Sequence, residues 1–279
     1  MNDTNFQRWA ERTPRIRSNI LRMIHQANSG HPGGSLSMVE ILMTLLAPGG
    51  VMDHDPKNPT GENRDRLVLS KGHGCPALYA VYSDMGYDIT EEELMTLRHL
   101  GSRLQGHPDR RRIPYLEACT GSLGQGASIA QGIAIGQKLD GNNHRTYCII
   151  GDGEMQEGQI WEVALSAPHH KTNNLTVILD FNKGQIDGPT NEVLNLHPVK
   201  EKWESFGWHV HEVDGHNYSE LDRALRDTHA SKPSFIVANT LKGKGCFMED
   251  DVVAWHGVAP TDEQLKQALD EIASRTIGV

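Results

Sequence analysis

Short apolar runs at residues 147–150, 175–180, 208–213 and 234–240 are interleaved with helical periodicity at 124–139, 159–167 and 218–229. No other feature restricts the fold so tightly. A strand with no polar side has to be covered on both faces, and strands alternating with helices close into a parallel sheet. The expected class is therefore α/β, a mostly parallel sheet with helices on both faces, in one domain over residues 1–279. Ligands of such sheets bind at the carboxyl ends of the strands.

The first half is less regular. Thr13-Pro14 reads as a helix start with proline in the first turn, and Ile16, Ile20, Met23, Ile24 and Ala27 then recur on one face. Ser35 is placed to cap a second apolar helix, which Pro48-Gly49-Gly50 stops. Residues 66–70 read as a strand and 76–85 as a helix, Thr90 and Glu93 form a capping box, and 263–273 form a last amphipathic helix. Residues 100–120 lack apolar periodicity, and a loop that long is expected to be functional or disordered.

Charge and cysteine usage remove several classes of function. With 27 Lys plus Arg against 36 Asp plus Glu the net charge is −9, and the only tight basic cluster is Arg110-Arg111-Arg112, so no nucleic-acid partner is expected. No run approaches the roughly 18 apolar residues of a membrane span, and the N-terminus carries no signal peptide, which predicts a soluble, cytoplasmic chain without a membrane partner. Cys75, Cys119, Cys148 and Cys246 lie far apart with no C-x-x-C pair, so they are expected as reduced, packed thiols.

Gly151-Asp152-Gly153-Glu154 follows one apolar run directly, and Asn182 follows the next. One helix joins the two runs, so a right-handed β-α-β unit sets an aspartate and an asparagine side by side at neighbouring strand ends. Oxygen donors of this kind suit a hard cation such as Mg2+, which completes its octahedron with phosphate oxygens and water. An Asp between glycines is by itself more often a turn. The spacing to Asn182 and the strand context favour a metal–diphosphate site.

From here the sequence resembles the thiamin diphosphate enzymes, and transketolases in particular. The stretch from Gly151 to Asn182 looks like their cofactor motif. Five further segments match in order: Asn28-Ser29-Gly30-His31-Pro32-Gly33, Ser70-Lys71-Gly72-His73-Gly74, Gln105-Gly106-His107-Pro108, Thr120-Gly121-Ser122-Leu123-Gly124-Gln125-Gly126 and Trp255-His256-Gly257-Val258-Ala259-Pro260. The resemblance implies thiamin diphosphate as cofactor with Mg2+, for which Ca2+ or Mn2+ are the candidate substitutes. It implies metal ligation by Asp152, Asn182 and the carbonyl of Gly184, although the family commonly has Ile at that last place. His73, Gly121, Ser122, Leu123, Gly153, Asn182 and His256 would contact the cofactor.

His31, His107 and His256 are the expected catalytic groups, because each sits in a Gly- or Pro-bounded loop where packing on a helix face does not account for it. Imidazoles beside a carbonyl stabilise developing negative charge and shuttle protons. His25, His54, His169, His170, His197, His209, His211, His216 and His229 are read as surface or hydrogen-bonded structural residues. Two readings stay open for Glu157, a buried carboxylate communicating with a partner or an exposed helix-start residue. The same holds for Lys242 and Lys244, as phosphate contacts or a solvated basic turn.

After Pro260 the sequence given holds one amphipathic helix, so the family's pyrimidine-binding domain is expected on a separate chain. The resemblance thus implies the N-terminal, diphosphate-binding subunit of a split transketolase. Its expected partner is a C-terminal subunit carrying the pyrimidine-binding domain, in a dimer of heterodimers acting on sugar phosphates. Transfer of a two-carbon ketol unit from a ketose to an aldose is the implied reaction. The alternatives are the α-subunit of a thiamin-dependent 2-oxoacid dehydrogenase, a deoxyxylulose phosphate synthase-like enzyme, or a non-catalytic diphosphate-binding module. The placement of His31, His107 and His256 favours the transketolase reading over these. A generic nucleotide-binding domain lacks support, since neither G-x-G-x-x-G nor a P-loop is present.

Overall fold

The computed structural model describes residues 3–275. The chain order is α1 (Asp3–Ala27), α2 (Pro32–Leu36), α3 (Val39–Leu46), β1 (Arg66–Leu69), α4 (Cys75–Met85), α5 (Glu91–Leu94), α6 (Gln125–Leu139), β2 (Thr146–Gly151), α7 (Asp152–Met155), α8 (Gly158–His169) and β3 (Leu175–Phe181). It continues with β4 (Gly184–Gln185), β5 (Gly188–Pro189), α9 (Thr190–Val193), α10 (Val199–Ser205), β6 (His209–Asp214), α11 (Tyr218–Arg226), β7 (Ser234–Asn239) and α12 (Asp262–Ser274).

Five strands make one sheet in the order β1-β2-β3-β7-β6, and every neighbouring pair is parallel. Side chains alternate between two apolar cores. Leu67, Leu69, Tyr147, Ile149, Ile178 and Ile236 join α1, α3, α4, α11 and α12 on one face. Val68, Cys148, Ile150, Val177, Leu179 and Val237 join α6, α8 and α10 on the other. β2 and β3 are buried along their whole length, the expected pattern for central strands of a sheet with two covered faces.

Several local expectations are corrected. Pro14 lies inside α1 rather than at its start, because Phe6 and Trp9 extend the buried face back towards the N-terminus. Pro14 supplies no N–H to that helix, but Thr13 and Ser18 donate their hydroxyls to the carbonyls of Trp9 and Pro14. Ser35 caps no helix: its hydroxyl donates to the His31 carbonyl within α2, and α3 begins separately at Val39. The helix expected over 218–229 ends at Arg226. Thr90 accepts from the Glu93 amide, and Thr261 and Gln264 form a capping box at α12.

Residues 100–120 carry no regular element, yet they are packed rather than disordered. Leu104, Ile113, Tyr115 and Leu116 are buried, and Tyr79 donates its hydroxyl to the Gln105 carbonyl at 3.1 Å. This anchoring carries His107 to the carboxyl edge of the sheet. Cys75, Cys148 and Cys246 are buried free thiols and Cys119 is exposed. No described helix is long and apolar enough to cross a membrane.

Candidate active site

A cleft of about 370 Å³ opens at the carboxyl ends of β1, β2 and β3. Its floor follows from strand register. Gly151 pairs with Asp180, so the residues just beyond, Asp152 and Asn182, emerge beside each other. The Asp152 carboxylate accepts from the amides of Gly153, at 2.9 Å, and Lys183. Lys183 adopts the left-handed conformation, φ 66°, which turns the chain sharply between Asn182 and Gly184. Asn182 Oδ1 accepts from the Gly184 amide at 3.2 Å, while its Nδ2 donates to Asp180 Oδ2 at 3.2 Å.

Two buried carboxylates fix this floor. Asp180 accepts from Lys71 Nζ, from the Thr240 hydroxyl and, at 2.6 Å, from the Ser37 hydroxyl. Burial pushes its carboxyl up, but the Lys71 ammonium and the hydroxyls more than reverse that and hold it below the usual range. Glu154 accepts from the Ser70 hydroxyl and from the amides of Gly124, at 2.9 Å, and Gly151, at 3.1 Å. It thereby ties together three segments that border the cleft.

Burial raises Glu154 as well, and Asp152 stands in sharper contrast to Asp180. Burial, reinforced by Asp180, raises it to about 7, so the floor holds a carboxyl short of positive charge. Lys242 comes near without meeting it. Its buried ammonium donates to the Gly184 carbonyl at 3.1 Å and to His256 Nδ1 at 3.0 Å, and burial lowers it to about 8.

The rim is made of imidazoles. His31 lies 5.0 Å from His73, 5.5 Å from His256 and 6.4 Å from His107, ring centre to ring centre. Four separate loops supply them. Burial, with Arg98 nearby, lowers His31 to about 4; burial, with Lys242, lowers His256 to about 3. His73 is pushed well below its usual range by burial and Lys71, and His107 is lowered by burial and Arg98. The loops are laced together: the Gly33 amide donates to the Trp255 carbonyl at 3.0 Å, and a Cβ on Gly33 would lie 2.8 Å from that oxygen. Gly121, at φ 138°, would likewise drive a Cβ to 2.8 Å from the His107 ring.

These contacts fix tautomers. A lysine ammonium only donates, so His256 Nδ1 accepts and the neutral ring carries its proton on Nε2. Arg98 Nη2, 3.5 Å from His31 Nδ1, imposes the same tautomer more weakly. Both rings present an N–H at Nε2.

Of the residues expected from sequence, His31, His73, His107, Gly121, Leu123, Asp152, Gly153, Asn182, Gly184 and His256 all line the cleft. Ser122 is exposed and does not line the cleft. Glu157 is exposed at the mouth of the cleft in this chain by itself. Lys242 is at the site, whereas Lys244 does not line it. Asp180, Glu154 and the partnering of Lys71 were not anticipated, since the lysine and its aspartate are 109 positions apart. The one available signal was a charged residue at the closed end of an apolar strand.

The chain matches the family described as "Transketolase, thiamine diphosphate binding domain" over residues 10–274. It is 45% identical to the 6-deoxy-6-sulfo-D-fructose transketolase subunit SqwG of Clostridium sp. (strain MSTE9), covering 92% of this chain and 93% of that one. Identity to an apulose-4-phosphate transketolase subunit of Phocaeicola vulgatus is 37%, over 93% and 92% of the two chains. The crystal structure of transketolase from Campylobacter jejuni superposes with a TM-score of 0.85 at 34% identity, covering 99% of this chain and 44% of that one. The chain spans less than half of that solved transketolase. With the family matched across the sheet and the cleft, and two relatives of subunit size covered almost end to end, the chain belongs to the transketolase family as a subunit built on its thiamine diphosphate binding domain.

Proposed function

We propose that the cleft holds the diphosphate of thiamine diphosphate through a divalent metal ion, Mg2+ by preference, and that the chain transfers ketol units together with a partner subunit that completes the site. One observation carries the reading: a cation-deficient oxygen floor of Asp152, Asn182 and Gly184 lies beneath four converging neutral imidazoles. The donor set fits the ion. A hard cation coordinated by the Asp152 carboxylate, Asn182 Oδ1 and the Gly184 carbonyl would relieve the charge deficit that raises Asp152.

When bound, thiamine diphosphate supplies the carbon nucleophile and electron sink that ketol transfer needs. The chain's own residues would bind and orient. Lys242, whose ammonium lies at the Gly184 carbonyl, would face the diphosphate and offset part of its charge, while Lys71 stays paired with Asp180. His31 and His256 each offer Nε2–H to substrate oxygens, where a neutral donor stabilises developing negative charge without first losing a proton to solvent. His73 and His107 would border the same substrate position from the rim.

The size of the matched subunits supports a separately encoded partner bearing the pyrimidine-binding domain. SqwG acts, by its name, on a sulfonated ketose, and the apulose-4-phosphate enzyme on a phosphorylated one. Ketoses ending in an anionic group, sulfonate or phosphate, are the substrate class we assign here. The test is calorimetric titration of thiamine diphosphate with Mg2+ into the chain, alone and with its partner, followed by ketol transfer from 6-deoxy-6-sulfofructose and from fructose 6-phosphate. Binding that tightens with the partner, and turnover only in the mixture, supports the reading. Turnover of 2-oxoacids with none of ketoses would overturn it.

A further inference from the structure

Among the described residues, one group of metal-capable side chains converges away from the cleft: His209, His211 and Asp227. His209 opens the edge strand β6, and His211, two positions on, projects from the same face. α11 runs back over that face, and Asp227 follows its last residue, so the carboxylate arrives beside both imidazoles. His209 Nε2 and His211 Nε2 are 3.0 Å apart, and Asp227 Oδ2 lies 3.5 and 3.3 Å from them. These atoms sit at the amino ends of the strands, the opposite end of the sheet from the cleft, and ketol transfer makes no use of them.

The triangle has the dimensions of a metal face. Three donors about 2.0–2.1 Å from a tetrahedral ion stand about 3.3–3.4 Å from one another. The Asp227 carboxylate oxygen stands within reach of both ring nitrogens, and His211 also hydrogen-bonds the Asp227 main chain, which draws the segment onto the strand. His229 stands 5.7 Å from His209 between ring centres and accepts the Ser231 amide at Nδ1, and Asp227 leaves one side of the triangle exposed. Two imidazoles and one carboxylate are donors for a late first-row divalent ion.

The geometry points to a surface site for a divalent transition-metal ion, Zn2+ or a close relative, formed by His209, His211 and Asp227. The ion would clasp the start of the edge strand to the segment that leaves α11, stiffening the side of the sheet where β6 has one neighbour instead of two.

The experiment is calorimetric titration of Zn2+ into the metal-free full chain and into His211→Ala, Asp227→Asn and Asp152→Ala, with Co2+ absorption as a second readout of tetrahedral nitrogen–oxygen ligation. One ion per wild-type chain is expected. Affinity should fall more than about 100-fold in the first two variants, beyond the loss caused by removing a merely supporting contact, and should be retained in Asp152→Ala. Zn2+ should also raise the melting temperature of wild type and of Asp152→Ala but not of the other two, while all four melt alike in chelator apart from any offset of Asp152→Ala. Zn2+ binding that survives His211→Ala, or that is lost only in Asp152→Ala, overturns the site. So does the absence of binding to wild type.

Discussion

The floor and the rim of the cleft are built on opposite electrostatic plans. In the floor, Asp180, Glu154, Lys71 and Lys242 are buried at the closed ends of strands or in the adjoining loops and are tied by hydrogen bonds across segments far apart in sequence. In the rim, four imidazoles stand on loops with few polar partners and are kept neutral by burial and neighbouring cations. In the floor Asp152 accepts only from backbone amides, and the imidazoles of the rim carry no charge. A site divided in this way can grip an anionic cofactor at one end and offer uncharged hydrogen-bond donors at the other.

The strongest break in that contrast comes from Asp152→Ala. It should abolish Mg2+-dependent binding of thiamine diphosphate, by at least about 1000-fold, because it removes the one carboxylate in the proposed ligand set; circular dichroism should show the fold intact. Next is Lys71→Met, which strands the Asp180 charge in the interior. A loss of about 3–5 kcal/mol is expected from urea unfolding, with Lys71→Met/Asp180→Leu recovering a large part of it.

His256→Ala tests the rim. In the assembled enzyme kcat should fall about 100-fold, the lower end of what a positioned proton-transfer group contributes, while cofactor affinity stays within a few-fold of wild type. The reverse order would assign His256 to the floor.

The smallest effect separates the two regions by sign. His31 and His256 have folded values lowered from about 6.5 to about 4 and about 3, so their contribution to stability is complete above pH 6.5 and declines as pH falls through that window. Asp152 is raised to about 7, so in the metal-free chain its contribution is complete below pH 3.8 and declines as pH rises towards 7. Between pH 4.5 and 6.5 the terms oppose each other. Asp152→Asn should therefore steepen the rise of stability with pH, and His31→Asn should flatten it, as read from urea midpoints at several pH values.

The sequence displayed the parts of this arrangement that depend on local order. Apolar runs ending in Gly151-Asp152 and Asp180-Phe181-Asn182 announce strand ends, and Gly- or Pro-bounded histidines announce loops. Pairing across long separations was not legible, because nothing in the neighbourhood of Lys71 indicates that Asp180 will neutralise it. For Lys242 the sequence left a phosphate contact and a solvated turn equally open, and the packing of the 240–256 segment against α2 buries it. Pro14 misled for a related reason, since the first turns of α1 show their buried face only once Trp9 meets Tyr218.

The pairing of Gly151 with Asp180 has one more consequence. A slip of a single residue between β2 and β3 would move Asn182 about 3.3 Å along the sheet and swap the faces of every side chain on the strand. The ladder is thus a ruler whose last division is the proposed metal site. On that proposal, cofactor binding would be a proofreading signal, counting only those chains whose two central strands have come into the correct alignment.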